Sequence, residues 1–161
     1  AESVELMYQF YARTIKHYGA QSYLNKAFFR YLAEHFNNQT LFLFADYGEQ
    51  TIAGGLYFKS DNTLYGRYWG ALDSFHSVHF ETCYYQAIDW CINNGYQNFE
   101  AGAQGEHKLA RGLEPKTTYS AHWITHPGFR QAIDDFVESE QAHIQHYQDA
   151  MQSHSPYKTE L

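Results

Sequence analysis

Residues 63–101 read TLYGRYWGALDSFHSVHFETCYYQAIDWCINNGYQNFEA. Three patterns follow one another in that stretch. Thr63 to Leu72 is aromatic-rich and opens after the turn residues Asp61–Asn62, which predicts a strand. Val78 to Asn93 repeats apolar residues at helical spacing. Phe80, Tyr84, Ala87, Ile88 and Cys91 share one face there, and Gly95 is the stop. Asn98 to Ala101 is a short strand. A helix of about four turns between two strands has the length of a crossover connection. The two strands therefore run parallel, with right-handed topology.

Upstream, Leu41 to Tyr47 is a continuous apolar run, Gly48–Gln50 a turn, and Thr51 to Lys59 a second strand. Turns this short make the first three strands an antiparallel meander. Two helices precede it. Val4, Met7, Tyr8, Tyr11 and Ile15 mark the first, which Gly19 stops. Ser22 caps the second, whose stripe is Leu24, Ala27, Phe28, Tyr31, Leu32 and Phe36. Asn37–Asn38 is a junction inside one domain. Downstream come a glycine-bearing loop over 102–115 and a strand from Thr117 to Thr125, broken by His126–Pro127–Gly128. A final helix runs from Phe129 to about Met151, and 152–161 is a polar tail. The expectation is one α/β domain over 1–151, a mixed sheet with helices on both faces.

Composition agrees with a single packed domain. The chain has 161 residues, 44% hydrophobic and 18% charged, which excludes a disordered chain. Its 15 Tyr, 12 Phe and 3 Trp with only 3 Pro exclude collagen-like and low-complexity classes. A net charge of −7 argues against a nucleic-acid surface over the whole protein, while leaving room for a local basic pocket. No apolar run reaches the roughly 18–20 residues of a membrane span, and no signal peptide opens the chain. Cys83 and Cys91 lie eight residues apart on one helix, about 12 Å along its axis. That exceeds the ~4.4–6.8 Å a disulfide needs, so both read as packed thiols in a reducing cytoplasm.

In open α/β sheets the ligand crevice lies beyond the carboxyl ends of the parallel strands. That rule selects 69–76, leading to the crossover helix, and 101–112, and brings them to one edge of the sheet. In the second segment Gly102 and Gly105 free the backbone for close approach. Glu106 and His107 are proton-transfer groups, and Lys108 with Arg111 is a clustered positive pair for a phosphate or carboxylate. A solvated turn-forming loop is the ordinary alternative. In the first segment Ser74 or Ser77 caps the helix, and His76, His79 and Glu81 lie in its first turns. His79 and Cys83 are four apart, but no third ligand has motif spacing, so no metal is expected. His122/His126 and His143/His146 are read the same way.

The stretch His79–Phe80–Glu81–Thr82–Cys83–Tyr84–Tyr85 and the loop from Phe99 to Gly112 resemble the FemAB-like "peptidoglycan biosynthesis/recognition" family. Those bacterial proteins are predicted N-acyltransferases of the GNAT superfamily. The resemblance runs over about residues 1–150. Members are usually about twice this length, so it implies that this chain is the C-terminal half of one. It also implies a GNAT-like fold, in which a Gln/Arg-x-x-Gly-x-Gly/Ala loop binds the pyrophosphate of acyl-CoA. The matching residues are Arg67–Tyr68–Trp69–Gly70–Ala71–Leu72, with Leu72 in a small-residue position.

What the resemblance implies is transfer of an acyl or aminoacyl group to an amine, the acceptor being a small molecule, a peptide or a peptidoglycan precursor. Acyl-CoA and aminoacyl-tRNA are the two donors it admits; DNA is not expected as a partner. The base is expected among Glu106, His107 and Glu100. The donor is expected at Arg67, Gly70, Gly102, Gln104, Gly105, Lys108 and Arg111, and the acceptor at Trp69, His76, His79, Glu81 and Tyr84. A binding or support domain without chemistry is the competing class, and the missing half or a second copy is the expected protein partner.

Overall fold

The computed structural model describes residues 2–102, 106–152 and 156–157, with the backbone alone at Glu106, Gln145 and Gln152. The chain divides into two compact units, Ala1–Ala103 and Gln104–Leu161. In the first, helices α1 (Glu2–His17) and α2 (Lys26–His35) precede strands β1 (Thr40–Tyr47), β2 (Gln50–Lys59) and β3 (Thr63–Ala71). Residues 78–93 form the crossover helix α3, and β4 (Asn98–Glu100) follows. The sheet order is β1-β2-β3-β4, antiparallel up to β3 and parallel between β3 and β4. This is the mixed α/β sheet that the crossover length predicts.

Each face of the sheet carries its own apolar layer. On one, Val4, Met7, Phe10 and Tyr11 of α1 and Phe29 and Leu32 of α2 pack around Leu56, with Phe42, Phe44, Phe58, Tyr68 and Leu72 against them. On the other, Ala87 and Cys91 of α3 meet Tyr57 and Leu64, flanked by Leu41, Leu43, Trp90 and Phe99. Burying both faces explains why β1 and β2 are near-continuous apolar runs.

Strand β3 serves both layers because it changes phase. Leu56 pairs with Tyr68 while Tyr57 pairs with Gly66, so Arg67 is an extra residue, a β-bulge. Before it, Leu64 faces the α3 layer. After it, Tyr68 and Leu72 face the α1 layer. A strict period of two would have put all three on one face.

Gly70 marks the closest approach of helix to sheet. A β-carbon there would lie 2.5 Å from the Phe10 carbonyl carbon and 2.7 Å from Thr14 Oγ1. Thr14 Oγ1 donates to the Trp69 carbonyl at 2.9 Å, fixing α1 against β3 by a bond as well as by packing.

Helix α2 starts later than its sequence suggests. Asn25, not Ser22, is the cap: its Oδ1 accepts from the Phe28 N–H at 3.0 Å. Ser22 Oγ instead donates to the Leu24 carbonyl.

The second unit holds a 3₁₀ helix, Glu106–Arg111, and helix α4, Pro127–Gln152. Residues 113–125 are irregular, so the strand expected from Thr117 to Thr125 does not form. Its β-branched and aromatic residues find no ladder: Tyr119 is 93% and Trp123 81% exposed. Arg130 of α4 holds this segment differently. Its Nε and Nη2 donate to the Ile124 carbonyl, and its guanidinium lies 4.7 Å from the Trp123 ring centre.

Gly70→Ala is expected to lower the unfolding free energy by about 1–3 kcal/mol, the cost of overpacking against rigid backbone. Gly48→Ala, at φ +61° with nothing within 4 Å, should cost only about 1 kcal/mol. Urea midpoints of the two variants check this, and equal losses would contradict it.

Candidate functional site

Pairing between β3 and β4 covers only Thr63–Tyr65 of β3. Strand β3 then runs six residues further, to Ala71, roughly 20 Å at strand rise. The carboxyl ends of the two parallel strands therefore do not meet at one edge. Strand β4 ends beside the middle of β3, because it is only three residues long and pairs with the start of its neighbour. Gly102, at φ +77°, lies alongside Gly66, whose carbonyl oxygen would be 3.8 Å from a β-carbon there. Among the described residues, the outer edge of β3 past Tyr65 pairs with no strand.

At the far end of that stretch lies an open cleft of about 350 Å³. Its walls are the last turns of α1, through Arg13, Thr14, His17 and Tyr18, and the end of β3, through Trp69, Ala71, Leu72, Asp73 and Ser74. Arg13 and His17 are four apart and share a helix face. Asp73 turns back on its own loop, its Oδ1 accepting from the Ser74 N–H at 2.7 Å. The cleft thus sets two basic groups across from one carboxylate. The carboxyl-end rule finds Trp69, Asp73 and Ser74. It misses the four α1 residues, whose only trace in the sequence is an i, i+4 polar pair that any solvated helix face carries.

Trp69 and Ala71 follow the bulge onto the α3 face. The Trp69 ring stands edge-on to His79, with centres 5.2 Å apart, and His79 in turn contacts Phe80 and Tyr84. Helix α3 is irregular here. It opens with an α-turn, Val78–Phe80, passes through a π-helical segment, Glu81–Tyr85, and closes as α-helix, Gln86–Asn93. Tyr57 accounts for part of that geometry. Its ring lies over the two glycine positions 55 and 66, and its hydroxyl donates to the Thr82 carbonyl at 2.7 Å. Burial first, then the adjacent Cys83 thiol, pushes the Tyr57 hydroxyl well above the ordinary phenol range. Cys91 is likewise held up by burial.

The other expected residues of the first unit are not among those that line the cleft. Arg67 stands on the α1 face with its guanidinium 4.3 Å from the Tyr68 ring centre. Gly70 is closed over by α1, so its missing side chain serves packing. His76 is exposed, its Nδ1 bonded to Ser77 Oγ; Ser77 sits at φ 62° and caps nothing with its side chain. Exposed Glu81 accepts from Gln86 Nε2 at 2.8 Å, and Tyr84 is buried. Glu100 ends β4 and is exposed. In the second unit, His107, Lys108 and Arg111 share the 3₁₀ helix, and Arg111 Nη1 donates to the His107 carbonyl at 2.6 Å. Gln104, Gly105 and the Glu106 side chain lie outside the described residues. Among the described residues, no three His, Cys, Asp or Glu side chains gather as a metal would require. Nor is any described helix long and apolar enough to cross a membrane.

Comparison with known proteins adds two findings. A family model, FemAB-like, "peptidoglycan biosynthesis/recognition", matches residues 1–159. A crystal structure described as a possible acetyltransferase from Clostridium difficile 630 superposes with a TM-score of 0.51 at 11% identity, covering 78% of this chain and 93% of that one. At that identity the likeness is one of fold. No curated protein matches the sequence.

The Tyr57 hydroxyl gives the first unit a pH dependence whose sign is fixed. Below about pH 10, the ordinary phenol value, it is protonated folded and unfolded, and its contribution is intact. Above that, the unfolded chain releases the proton while the folded chain keeps it, so stability falls as pH rises. Urea midpoints between pH 9 and 11 are expected to drop more steeply for the wild type than for Tyr57→Phe. Parallel slopes would contradict the burial argument.

Proposed function

The chain belongs to the FemAB-like peptidoglycan biosynthesis/recognition family, and from that premise we propose that it transfers an acyl or aminoacyl group to an amine. The observation that carries the reading is the outer edge of β3, which pairs with no described strand past Tyr65 and whose last residues, Trp69 and Ala71, line the cleft. A strand edge offers backbone N–H and C=O groups in a row, and an extended donor arm adds to such a row as another strand would. A β3 N–H is also suited to hold the oxygen of the acyl group as charge develops on it. The acetyltransferase-like fold of the distant neighbour supports this assignment without naming a donor.

In that arrangement Arg13 and His17 hold an anionic part of the donor, a role that sequence reading gave to the Arg67–Leu72 loop and to Lys108 and Arg111. The amine attacks the acyl carbon, a C–N bond forms, and the C–S or C–O bond to the donor breaks. The leaving sulfur or oxygen keeps the electron pair. A base takes the proton that the amine loses; in the first unit Glu100 is the candidate. Trp69 and His79 wall the acceptor side. The donor is acyl-CoA or aminoacyl-tRNA.

One observation favours a second reading, recognition without chemistry. The glycine expected to approach a donor pyrophosphate, Gly70, is covered by α1, and Leu72 follows where a small residue is expected. Such a domain would bind a cell-wall peptide and no donor.

Thermal-shift titration with acetyl-CoA, a longer acyl-CoA, free CoA and an aminoacyl-tRNA separates the two. A donor at about 100 times its dissociation constant adds roughly 2.7 kcal/mol, or about 5–10 °C for a chain of this size. A saturable shift from one donor is expected, weakened about tenfold or more in Arg13→Ala/His17→Ala, the scale of one charge-assisted hydrogen bond. Absence of any donor shift, with no labelled acyl group passing to a lysine peptide, would remove the transfer reading and leave recognition.

A further inference from the structure

Arg67, Tyr68 and Tyr23 form a cluster that the transfer chemistry above does not use. The bulge turns Arg67 and Tyr68, neighbours in sequence, toward the same side of the sheet. Arg67 lies flat over the Tyr68 ring, 4.3 Å from its centre, and its Nη2 donates to the Tyr23 hydroxyl at 3.4 Å. The Tyr23 and Tyr68 hydroxyls are hydrogen-bonded to each other. Three donor groups converge here with no carboxylate among them. Among the described residues Arg67 forms no ion pair, in a chain with 18 acidic residues.

The cluster is built on a fixed base. Tyr11, buried in α1, stands edge-on to Tyr68 with centres 4.9 Å apart and edge-on to Tyr23 at 6.3 Å. Its hydroxyl accepts from the Leu24 N–H at 3.2 Å, and Ser22 Oγ donates to the Leu24 carbonyl at 2.9 Å. The segment carrying Tyr23 is therefore tied to α1 through Leu24 and braced internally by Ser22. Two phenol oxygens carry two protons and the bond between them uses one, so the other is available outward. Burial above all holds the Tyr68 hydroxyl above its ordinary range.

A guanidinium fork with an adjacent phenol O–H matches an oxyanion that offers two oxygens. Resting on the transfer reading, we propose that Arg67, Tyr23 and Tyr68 dock the free carboxylate of the acceptor, which makes the acceptor an amino acid or peptide bearing both an amine and a carboxylate. The place argues for the acceptor over the donor. Arg67 is the second residue past the last β3–β4 pair, and it lies four residues before the cleft end of β3, about 13 Å along the strand. A donor with its anionic end in the cleft, against Arg13 and His17, brings its reacting end toward Arg67. An anion site at that end is reached by the incoming acceptor.

The test is calorimetric titration of the intact chain with the dipeptide Ala-Lys as free acid and as C-terminal amide, with CoA and inorganic pyrophosphate as further arms. The wild type is expected to bind the acid about tenfold more tightly than the amide, the scale of one charge-assisted hydrogen bond. Arg67→Gln should abolish that preference and leave amide binding unchanged, and Arg67→Lys should restore part of it. Tyr23→Phe, at an exposed position, should reduce the preference without altering the fold. Equal binding of acid and amide by the wild type, or no binding of either, overturns the proposal. So does a uniform loss in Arg67→Gln, or a loss confined to CoA and pyrophosphate, which would make Arg67 a donor-phosphate group. Donor binding with no acid preference leaves the transfer reading standing, so the two ideas fail separately.

Discussion

Helix α1 lies so close to β3 that residue 70 has no room for a side chain. Much of the first unit depends on that contact. It lets Thr14 reach the Trp69 carbonyl, which sets the angle of the helix against the strand. With the helix fixed, its last turns stand over the end of β3 and make one wall of the cleft. The same helix brings Tyr11 to the Tyr68 ring and holds the Leu24 backbone. Cleft and cluster thus share one scaffold.

The opposite face is organised around one aromatic side chain. Gly55 and Gly66 flank the space that the Tyr57 ring fills, and the ring carries its hydroxyl across to α3. A π-helical turn leaves carbonyls with altered partners, and Thr82 takes its hydrogen bond from Tyr57. The crossover helix is therefore tied to the middle of the sheet at its irregular segment, near the Trp69–His79 contact.

How much of this can be read from residues alone depends on whether the deciding interaction is local. The crossover is legible because connection length forbids a tight turn between parallel strands. The meander is legible from its short turns. The cap of α2 is not, because Ser22 and Asn25 are both competent and the winner is fixed when Tyr11 anchors Leu24 between them. The segment 117–125 misleads because strand propensity describes a surface to pack on, and here none is paired. In the site, Trp69, Asp73 and Ser74 follow from topology. Arg13 and His17 look like any solvated pair. Tyr23 and Tyr68 are 45 residues apart, and no spacing rule joins them.

The bulge at Arg67 sets a rule of counting as well as of chemistry. The even-numbered side chains along β3 behave like teeth on two gears, meshing with the crossover layer before residue 67 and with the α1 layer after it. Exchanging one residue type for another at this tooth leaves the meshing intact, since the backbone still holds its extra unit. Losing the tooth would make Gly66 and Tyr68 consecutive residues opposite Tyr57 and Leu56, so Tyr68, Gly70 and Leu72 would still face α1, and only the bend and the side chain beside Tyr68 would go. Related chains that lack the extra residue should therefore keep both layers while losing the side chain that lies over the Tyr68 ring.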